Sequence, residues 1–233
     1  MQTAGIVGGI GPESTIDYYR AIVALYRSRK GDGSYPPLIV NSIDLQKVLA
    51  FVAAGQLEPL TSYLAGAIEK LAAAGADFAV LASNTPHLVF EALARRSPIP
   101  LISIVEAAAA AARVRRLKRL GLFGTRSTMQ GVFYPQTFER AAMAIVSPSV
   151  AEQARIHDIY MNELVLGIFR DESRAALLEI VSSVQAREKI DGLILGGTEL
   201  PLLLRGHEMP GLPFLDTAWL HVERIVAEML RGN

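Results

Sequence analysis

Eight short apolar runs, separated by longer amphipathic segments, constrain the fold of this chain more than any other feature of its sequence. Continuous apolar runs of this length are typical of parallel strands that are buried on both faces. They lie at residues 4–9, 37–43, 77–83, 99–104, 119–124, 143–148, 191–197 and 212–216. Helical patterns separate them, among others at residues 15–29, 60–75, 106–112, 158–169 and 174–187. The alternation predicts an α/β fold built from right-handed crossover units.

The second half of the chain repeats the pattern of the first half. DFAVLASNTPH begins at Asp77 and DGLILGGTELP begins 114 residues later at Asp191, whereas GIVG and GLFG begin 116 residues apart at Gly5 and Gly121. The alternative explanation is coincidence, because short strand patterns recur freely. The landmarks nevertheless come in the same order. We therefore predict two similar parallel-sheet α/β lobes related by pseudo-twofold symmetry.

The carboxyl ends of the strands are the expected place for a ligand in each lobe, as in other parallel α/β sheets. In a twofold-related pair of lobes those ends would face each other across one cleft. Ser83 and Gly197 align at the offset of 114 residues. The repeat therefore predicts an active-site cleft between the lobes, with these two residues on opposite walls.

The loop GGIGPEST, at residues 8–15, follows the first predicted strand and allows three interpretations. A dinucleotide-binding fingerprint would require a third glycine where Ser14 stands. A tight turn in which Ser14 or Thr15 caps the next helix is the simplest interpretation. The third is a nest of backbone N–H groups around Gly11 that binds an anion.

The loop SNTPH, at residues 83–87, follows the third predicted strand. Pro86 suits the first turn of a helix, where its missing N–H group is harmless. The free N–H groups of that turn, with donors from Asn84 and Thr85, would hold a carboxylate. The alternative is that these side chains only cap the helix. His87 is the only histidine at a predicted strand end.

Two loops of the second half occupy the corresponding positions. GTRSTM, at residues 124–129, offers the hydroxyl groups of Thr125, Ser127 and Thr128, although turns rich in Ser and Thr are common. GGTELP, at residues 196–201, offers Thr198 and Glu199. A glutamate at a helix start is often only a favourable partner of the helix dipole.

Charge and composition exclude several classes of function. A net charge of +0 gives no reason to expect nucleic acid or an anionic membrane as a partner. The sequence has no apolar run of the roughly 20 residues that a membrane helix needs, and no signal-peptide pattern, so we expect a cytoplasmic protein. It contains no cysteine, and its four histidines lack metal-ligand spacing, so we expect neither disulfides nor a metal site.

The four loops resemble the motifs of the aspartate/glutamate racemase family, and the resemblance extends from one end of the chain to the other. SNTPH is similar to the first catalytic motif of that family, usually Cys-Asn-Thr-x-His, and GGTEL is similar to the second, usually Gly-Cys-Thr-Glu. GGIGPEST resembles the first loop of the branch that acts on L-aspartate and L-glutamate. GTRSTM, with Phe133-Tyr134 after it, and ELVLGIF, with ESRAA after it, also match.

This resemblance implies an amino-acid racemase that works without pyridoxal phosphate, metal or any other cofactor. Two opposed thiols would move the α-proton of a small acidic amino acid or dicarboxylate. The implied substrate-binding residues are Gly11, Asn84, Thr85, Thr125, Ser127, Thr128 and Thr198. The resemblance also implies a homodimer and a C-terminal strand and helix that return to the first lobe. The expected lobes are then residues 1–103 with 212–233, and residues 104–211.

Both thiol positions depart from the family pattern, because they hold Ser83 and Gly197. A thiol has a reference pKa of ~8.5, whereas a serine hydroxyl is far less acidic and needs an adjacent base. His87 and Glu199 are the titratable side chains beside the two substituted positions. Three explanations follow: a non-catalytic ligand-binding homologue, a one-base isomerase or decarboxylase on the same scaffold, or an engineered sequence. We favour a natural sequence, because Cys→Gly is not a common engineered change.

Overall fold

The computed structural model describes residues 1–207 and 209–231. It divides into two compact units: Met1–Ile104 together with the residues from Ala218 onward, and Val105–Thr217. Each unit contains a four-stranded parallel sheet with helices packed against it. The α/β fold predicted from the alternation of strands and helices, and the two parallel-sheet lobes predicted from the repeat, are confirmed.

The first unit contains the sheet β2-β1-β3-β4. Its strands are β1 (Ala4–Gly8), β2 (Leu38–Ser42), β3 (Phe78–Leu81) and β4 (Leu101–Ile102). Its helices are α1 (Pro12–Lys30), α2 (Leu45–Ala53), α3 (Leu57–Ala73) and α4 (Phe90–Arg96), with a 3₁₀ helix at Thr85–Val89. The chain returns to this unit with its last helix, Thr217–Met229.

The second unit contains the sheet β6-β5-β7-β8. Its strands are β5 (Arg119–Gly124), β6 (Ala144–Val146), β7 (Gly192–Gly196) and β8 (Phe214–Asp216). Its helices are α5 (Ile104–Val114), α6 (Arg126–Gln130), α7 (Phe133–Glu139), α8 (Val150–Asn162), α9 (Asp171–Glu188) and α10 (Leu200–Leu204). The last helix of the first unit, Thr217–Met229, is numbered α11. A 3₁₀ turn at Leu164–Leu166 follows α8.

The two sheets have the same strand order and matching registers. Gly5 of β1 pairs with Ala79 of β3, and Gly121 of β5 pairs with Leu193 of β7. The last strand of each sheet pairs at the equivalent position, because Ala79 of β3 lies opposite Leu101 of β4 and Leu193 of β7 lies opposite Phe214 of β8. The repeat found in the sequence is therefore a repeat of sheet topology.

Alternation along β1 explains why the first sheet is apolar on both faces. Ile6 packs with Tyr18 and Ile22 of α1 and with residues of α11. Its neighbour Val7 points to the opposite face and packs with residues of α3, such as Leu64. Because successive strand residues point to opposite faces, both must be apolar when helices cover both sides.

Two boundaries differ from the sequence prediction. Strand β8 pairs with β7, from Phe214 opposite Leu193 to Asp216 opposite Leu195, so it belongs to the second sheet and only α11 lies in the first unit. The helix predicted over residues 158–169 begins earlier and ends at Asn162, and the 3₁₀ turn after it stops at Gly167, which has a φ of 72°. Glycine tolerates this left-handed conformation and terminates the turn.

Within residues 1–207 and 209–231, no helix combines the length and the apolar character that crossing a lipid bilayer requires.

Candidate functional site

Strand pairing in the first unit brings its two predicted loops to the same end of one sheet. Val7 near the end of β1 pairs with Leu81 at the end of β3, and the Ala82 N–H group donates to the Val7 carbonyl at 3.0 Å. The loop around Gly11 follows β1, and Ser83 follows β3. The candidate residues of this unit are therefore neighbours at the carboxyl end of the first sheet.

The loop after β1 is held by its own side chains. Gly9 has a φ of 81°, and a Cβ atom there would stand 2.3 Å from the Ile43 carbonyl oxygen, so only glycine fits. The Thr15 hydroxyl accepts a hydrogen bond from the Gly9 N–H group and donates to the Gly11 carbonyl, both at 2.9 Å. Because the Gly9 N–H group is already used, it is not a donor for a bound anion.

The capping role expected for Ser14 or Thr15 is wrong. Gly11 occupies the N-cap position of α1, and Pro12 is its first residue. Ser14 and Thr15 therefore lie inside the first turn, and both hydroxyls donate to the Gly11 carbonyl at 2.9 Å. The proline explains the difference, because its fixed φ and missing N–H group favour the first helical position.

The loop after β3 buries three of its four candidate side chains. Asn84, Thr85 and His87 are buried, whereas Ser83 is half-buried. The five-residue 3₁₀ helix Thr85–Val89 begins here with Pro86 in its first turn, as expected. The Asn84 side chain does not cap this helix, although Asn84 stands at the N-cap position. The alternative that these side chains only cap a helix therefore fails for Asn84.

His87 is a neutral imidazole at neutral pH. Its ring stacks on Phe90, with ring centroids 4.7 Å apart and an interplanar angle of 5°. Burial and, to a smaller extent, the proximity of His221 lower the pKa of His87 to about 3, although backbone hydrogen bonds at Ser83 and Asn84 act in the opposite direction. His87 therefore does not supply a proton as an imidazolium near pH 7.

His221 is a second buried histidine in the first unit, and the sequence gives it no specific role. Its Nδ1 atom lies 2.9 Å from the Tyr18 hydroxyl, and its Nε2 atom lies 3.0 Å from the Ile102 carbonyl oxygen. Burial lowers the pKa of His221 to about 4. A carbonyl only accepts, so Nε2 carries the proton and Nδ1 accepts from the tyrosine.

The second unit also brings its two predicted loops together. Gly124 at the end of β5 pairs with Gly196 at the end of β7. Thr128 fills the space beside both glycines, because a Cβ atom at Gly124 or Gly196 would stand 3.0 or 3.2 Å from its side chain. Thr125 caps α6 by accepting from the Thr128 N–H group, and Ser127 is half-buried. Thr128 and Thr198 are buried.

Gly197, the second expected thiol position, is filled by a side chain from another element. A Cβ atom at Gly197 would stand 2.3 Å from Cε2, 2.9 Å from Cζ and 3.0 Å from the hydroxyl oxygen of Tyr160. Tyr160 belongs to α8 and is buried. Its ring therefore occupies the space that any side chain at residue 197 would enter.

The buried carboxylate of Glu199 accepts hydrogen bonds from two hydroxyl groups. The Tyr160 hydroxyl donates to its Oε2 atom, and the Thr198 hydroxyl donates to the same atom at 3.1 Å. Burial and the charge of Glu199 raise the pKa of Tyr160 well above its usual value, so the phenol keeps its proton near pH 7. Among the described residues, no group of three acidic or histidine side chains could hold a metal ion.

Tyr160 is the residue that sequence reasoning missed. It lies within a predicted helix, where an aromatic residue is ordinarily a core residue. The available signal was the glycine itself, because a buried position without a side chain must be filled by a neighbour at protein packing density. The sequence does not show which neighbour does so.

Comparisons with known proteins agree with the two-unit fold. The chain is 25% identical over 170 residues to the broad specificity amino-acid racemase RacX of Bacillus subtilis (strain 168), over 70% of each chain. A crystal structure described as an Asp/Glu racemase from Yersinia pestis matches with a TM-score of 0.89 and 29% identity, over 99% of this chain and 100% of that one.

A third comparison is with PH1733, an aspartate racemase homologue from Pyrococcus horikoshii OT3. Its crystal structure matches with a TM-score of 0.84 and 31% identity, over 98% of this chain and 99% of that one. The family model described as Asp/Glu/hydantoin racemase matches residues 7–225. The chain therefore belongs to the Asp/Glu/hydantoin racemase family.

Proposed function

We propose that this chain binds a small acidic amino acid, without a cofactor, and that two-thiol racemisation is not its reaction. The observation that carries the proposal is the Tyr160 ring in the side-chain space of Gly197. The second expected thiol is not merely missing, because its place is taken by a tyrosine that is hydrogen-bonded to Glu199. This change converts a thiol position into a site of different chemistry.

Binding of an amino acid is supported by the polar residues that remain. Asn84 and Thr85 after β3, and Thr198 and Glu199 after β7, are all buried at the carboxyl ends of central strands. The carboxyl ends of parallel strands are where α/β sheets bind their ligands, and hydroxyl, amide and carboxyl groups there can fix the orientation of a small polar ligand. Two of the structures named above are described as an Asp/Glu racemase and as an aspartate racemase homologue, which supports an acidic amino acid as the ligand.

Isothermal titration calorimetry tests the binding proposal. L- and D-aspartate and L- and D-glutamate are titrated into the protein, with L-lysine as the control of opposite side-chain charge. We expect saturable heat with at least one acidic amino acid and none with L-lysine. Flat titrations with all four acidic ligands would reject the proposal.

A one-base isomerase or decarboxylase on the same scaffold is the second candidate function. The hydrogen bond from Tyr160 to Glu199 favours it, because a hydroxyl group paired with a carboxylate can move a proton. Chiral chromatography after incubation with each acidic amino acid separates this candidate from pure binding. Loss of the amino acid, or a change of its configuration, would indicate turnover.

A further inference from the structure

The hydroxyl group of Tyr160 lies beside the loop after β7, in the space that a side chain at residue 197 would enter. Its oxygen stands 3.0 Å from the position of a Cβ atom on Gly197. A thiol at residue 197 would lie one bond beyond that Cβ atom. The loop after β7 therefore presents a phenol where the family resemblance places a thiol.

The phenol has a built-in proton acceptor. It donates its proton to Oε2 of Glu199, and the Thr198 hydroxyl donates to the same oxygen at 3.1 Å. Thr198 and Glu199 are each only 2% exposed, so bulk water does not compete for these contacts. These two hydrogen bonds hold Oε2 of Glu199 against the phenol oxygen.

We propose that Tyr160 and Glu199 act together as a proton-transfer pair at the loop after β7, in place of the thiol that the family resemblance implies at residue 197. The inference rests on the proposed function, because it needs an amino acid bound at this loop. The phenol oxygen accepts the α-proton as its own proton passes to Glu199. The Cα–H bond breaks and its electron pair stays on Cα, a new O–H bond forms on Tyr160, and the former phenol proton forms an O–H bond on Glu199. Return of a proton follows the same path in reverse.

The relay explains why the tyrosine needs the glutamate. Burial and the Glu199 charge raise the pKa of Tyr160, so a free phenolate is scarce near neutral pH. A hydroxyl group of such low acidity acts as a base only when an adjacent group takes its proton. Glu199 is that group. Because the phenol loses one proton to Glu199 as it gains another from Cα, no phenolate has to form beside a carboxylate.

Exchange of the α-proton in deuterated water tests the relay. The wild-type protein is incubated with each enantiomer of aspartate and glutamate, and the α-proton signal is followed by NMR. We expect exchange with at least one of the four ligands. Tyr160→Phe keeps the ring that fills the space at Gly197 but removes the hydroxyl group, and Glu199→Gln removes the acceptor charge. Each is expected to slow exchange by about 100-fold or more, in the range for acid–base groups.

Tyr134→Phe is the matched control, because Tyr134 is another buried tyrosine of the second unit, and its hydroxyl is hydrogen-bonded to Thr217. It should exchange at the wild-type rate. Calorimetry on the same samples should give ligand affinities of Tyr160→Phe within about threefold of wild type, so that the loss lies in the rate and not in binding.

The outcomes separate this inference from the proposed function. Exchange that survives Tyr160→Phe, or a wild-type protein that binds the ligand and shows no exchange, overturns the relay and leaves the binding proposal intact. A wild-type protein that neither binds nor exchanges overturns both. Exchange lost in Tyr160→Phe and Glu199→Gln, but kept in Tyr134→Phe, supports the relay.

Discussion

The loops after β3 and β7 are topological equivalents that differ at the position where the family resemblance places a thiol. After β3 the position holds Ser83, a small half-buried hydroxyl residue, and the neighbouring His87 is buried and neutral. After β7 the position holds Gly197, and Tyr160 of α8 fills the space. In the loop after β3, the serine side chain has nearly the size of a cysteine side chain. In the loop after β7, the space is filled by a residue that is distant in the sequence. A glycine at a motif position is therefore not evidence of an empty site.

The largest expected contrast is in the response to acid, because the first unit fully buries two histidines with lowered pKa values, whereas His157 of the second unit, whose pKa is also lowered, is only half-buried. His87 and His221 have pKa values of about 3 and about 4 in the folded protein, against about 6.5 in the unfolded chain. Between these values the unfolded state binds more protons, so stability falls as the pH falls. Each histidine contributes up to about 1.4 kcal/mol per pH unit.

Urea unfolding between pH 6.5 and 4.5 measures this contrast before most carboxylates titrate. We expect the free energy of unfolding to fall by roughly 4 kcal/mol over that interval. His87→Asn should remove about half of the slope, and His207→Asn, at an exposed histidine, is the control variant. A stability that is constant over this interval would contradict the buried, neutral histidines.

The next contrast is steric. Gly197→Cys places a Cβ atom 2.3 Å from the Tyr160 ring, so we expect a loss of about 3 kcal/mol in the free energy of unfolding. Gly66→Cys introduces the same side chain on α3, where no atom outside the local backbone of the helix lies within 4 Å of the new Cβ, and should cost nothing. Adding Tyr160→Ala to Gly197→Cys should cost less than the sum of the single changes, because the overlap disappears. Simple additivity in that double-mutant cycle would refute the shared space.

A smaller contrast compares two buried tyrosine hydroxyls. Tyr160→Phe removes a donor from a buried carboxylate and should cost about 2 kcal/mol, since hydrogen bonds to charged groups are worth about 1.5–3 kcal/mol. Tyr18→Phe removes a donor from the neutral His221 ring and should cost about 1 kcal/mol. Equal losses in chemical denaturation would indicate that Glu199 is not ionised beside Tyr160.

The smallest expected effect is at the first thiol position. Ser83→Cys changes one atom of a half-buried side chain and should alter the free energy of unfolding by less than about 0.5 kcal/mol. We therefore expect a cysteine to be tolerated after β3 and to be destabilising after β7. A large loss from Ser83→Cys in thermal or urea unfolding would show that the first loop has also been remodelled.

The sequence predicted the repeated architecture well because apolar runs report burial directly. All eight predicted strands exist, and β1 and β5 begin at Ala4 and Arg119 as the pattern indicates. The boundaries failed where tertiary pairing decided them. Strand β8 resembles any other apolar run, and only its register against β7 assigns it to the second sheet.

The candidate sites divide in the same way. Strand ends are local features, so Ser83, Asn84 and Thr198 could be placed at the carboxyl ends of their sheets from the sequence alone. Tyr160 could not be linked to Gly197, because the two residues are 37 positions apart and nothing local couples a helix to a distant loop. Likewise, the sequence contains His87 and His221 but not the burial that lowers their pKa values.

The sequence by itself determined the α/β repeat, the family and the absence of cysteine. Only the tertiary structure decided what fills the space beside Gly197, since packing density is a property of the folded chain and not of any segment. It also decided the chemistry of that position. The proximity of a phenol to a carboxylate depends on how α8 packs against the loop after β7, and the proton affinity of the phenol follows from that burial.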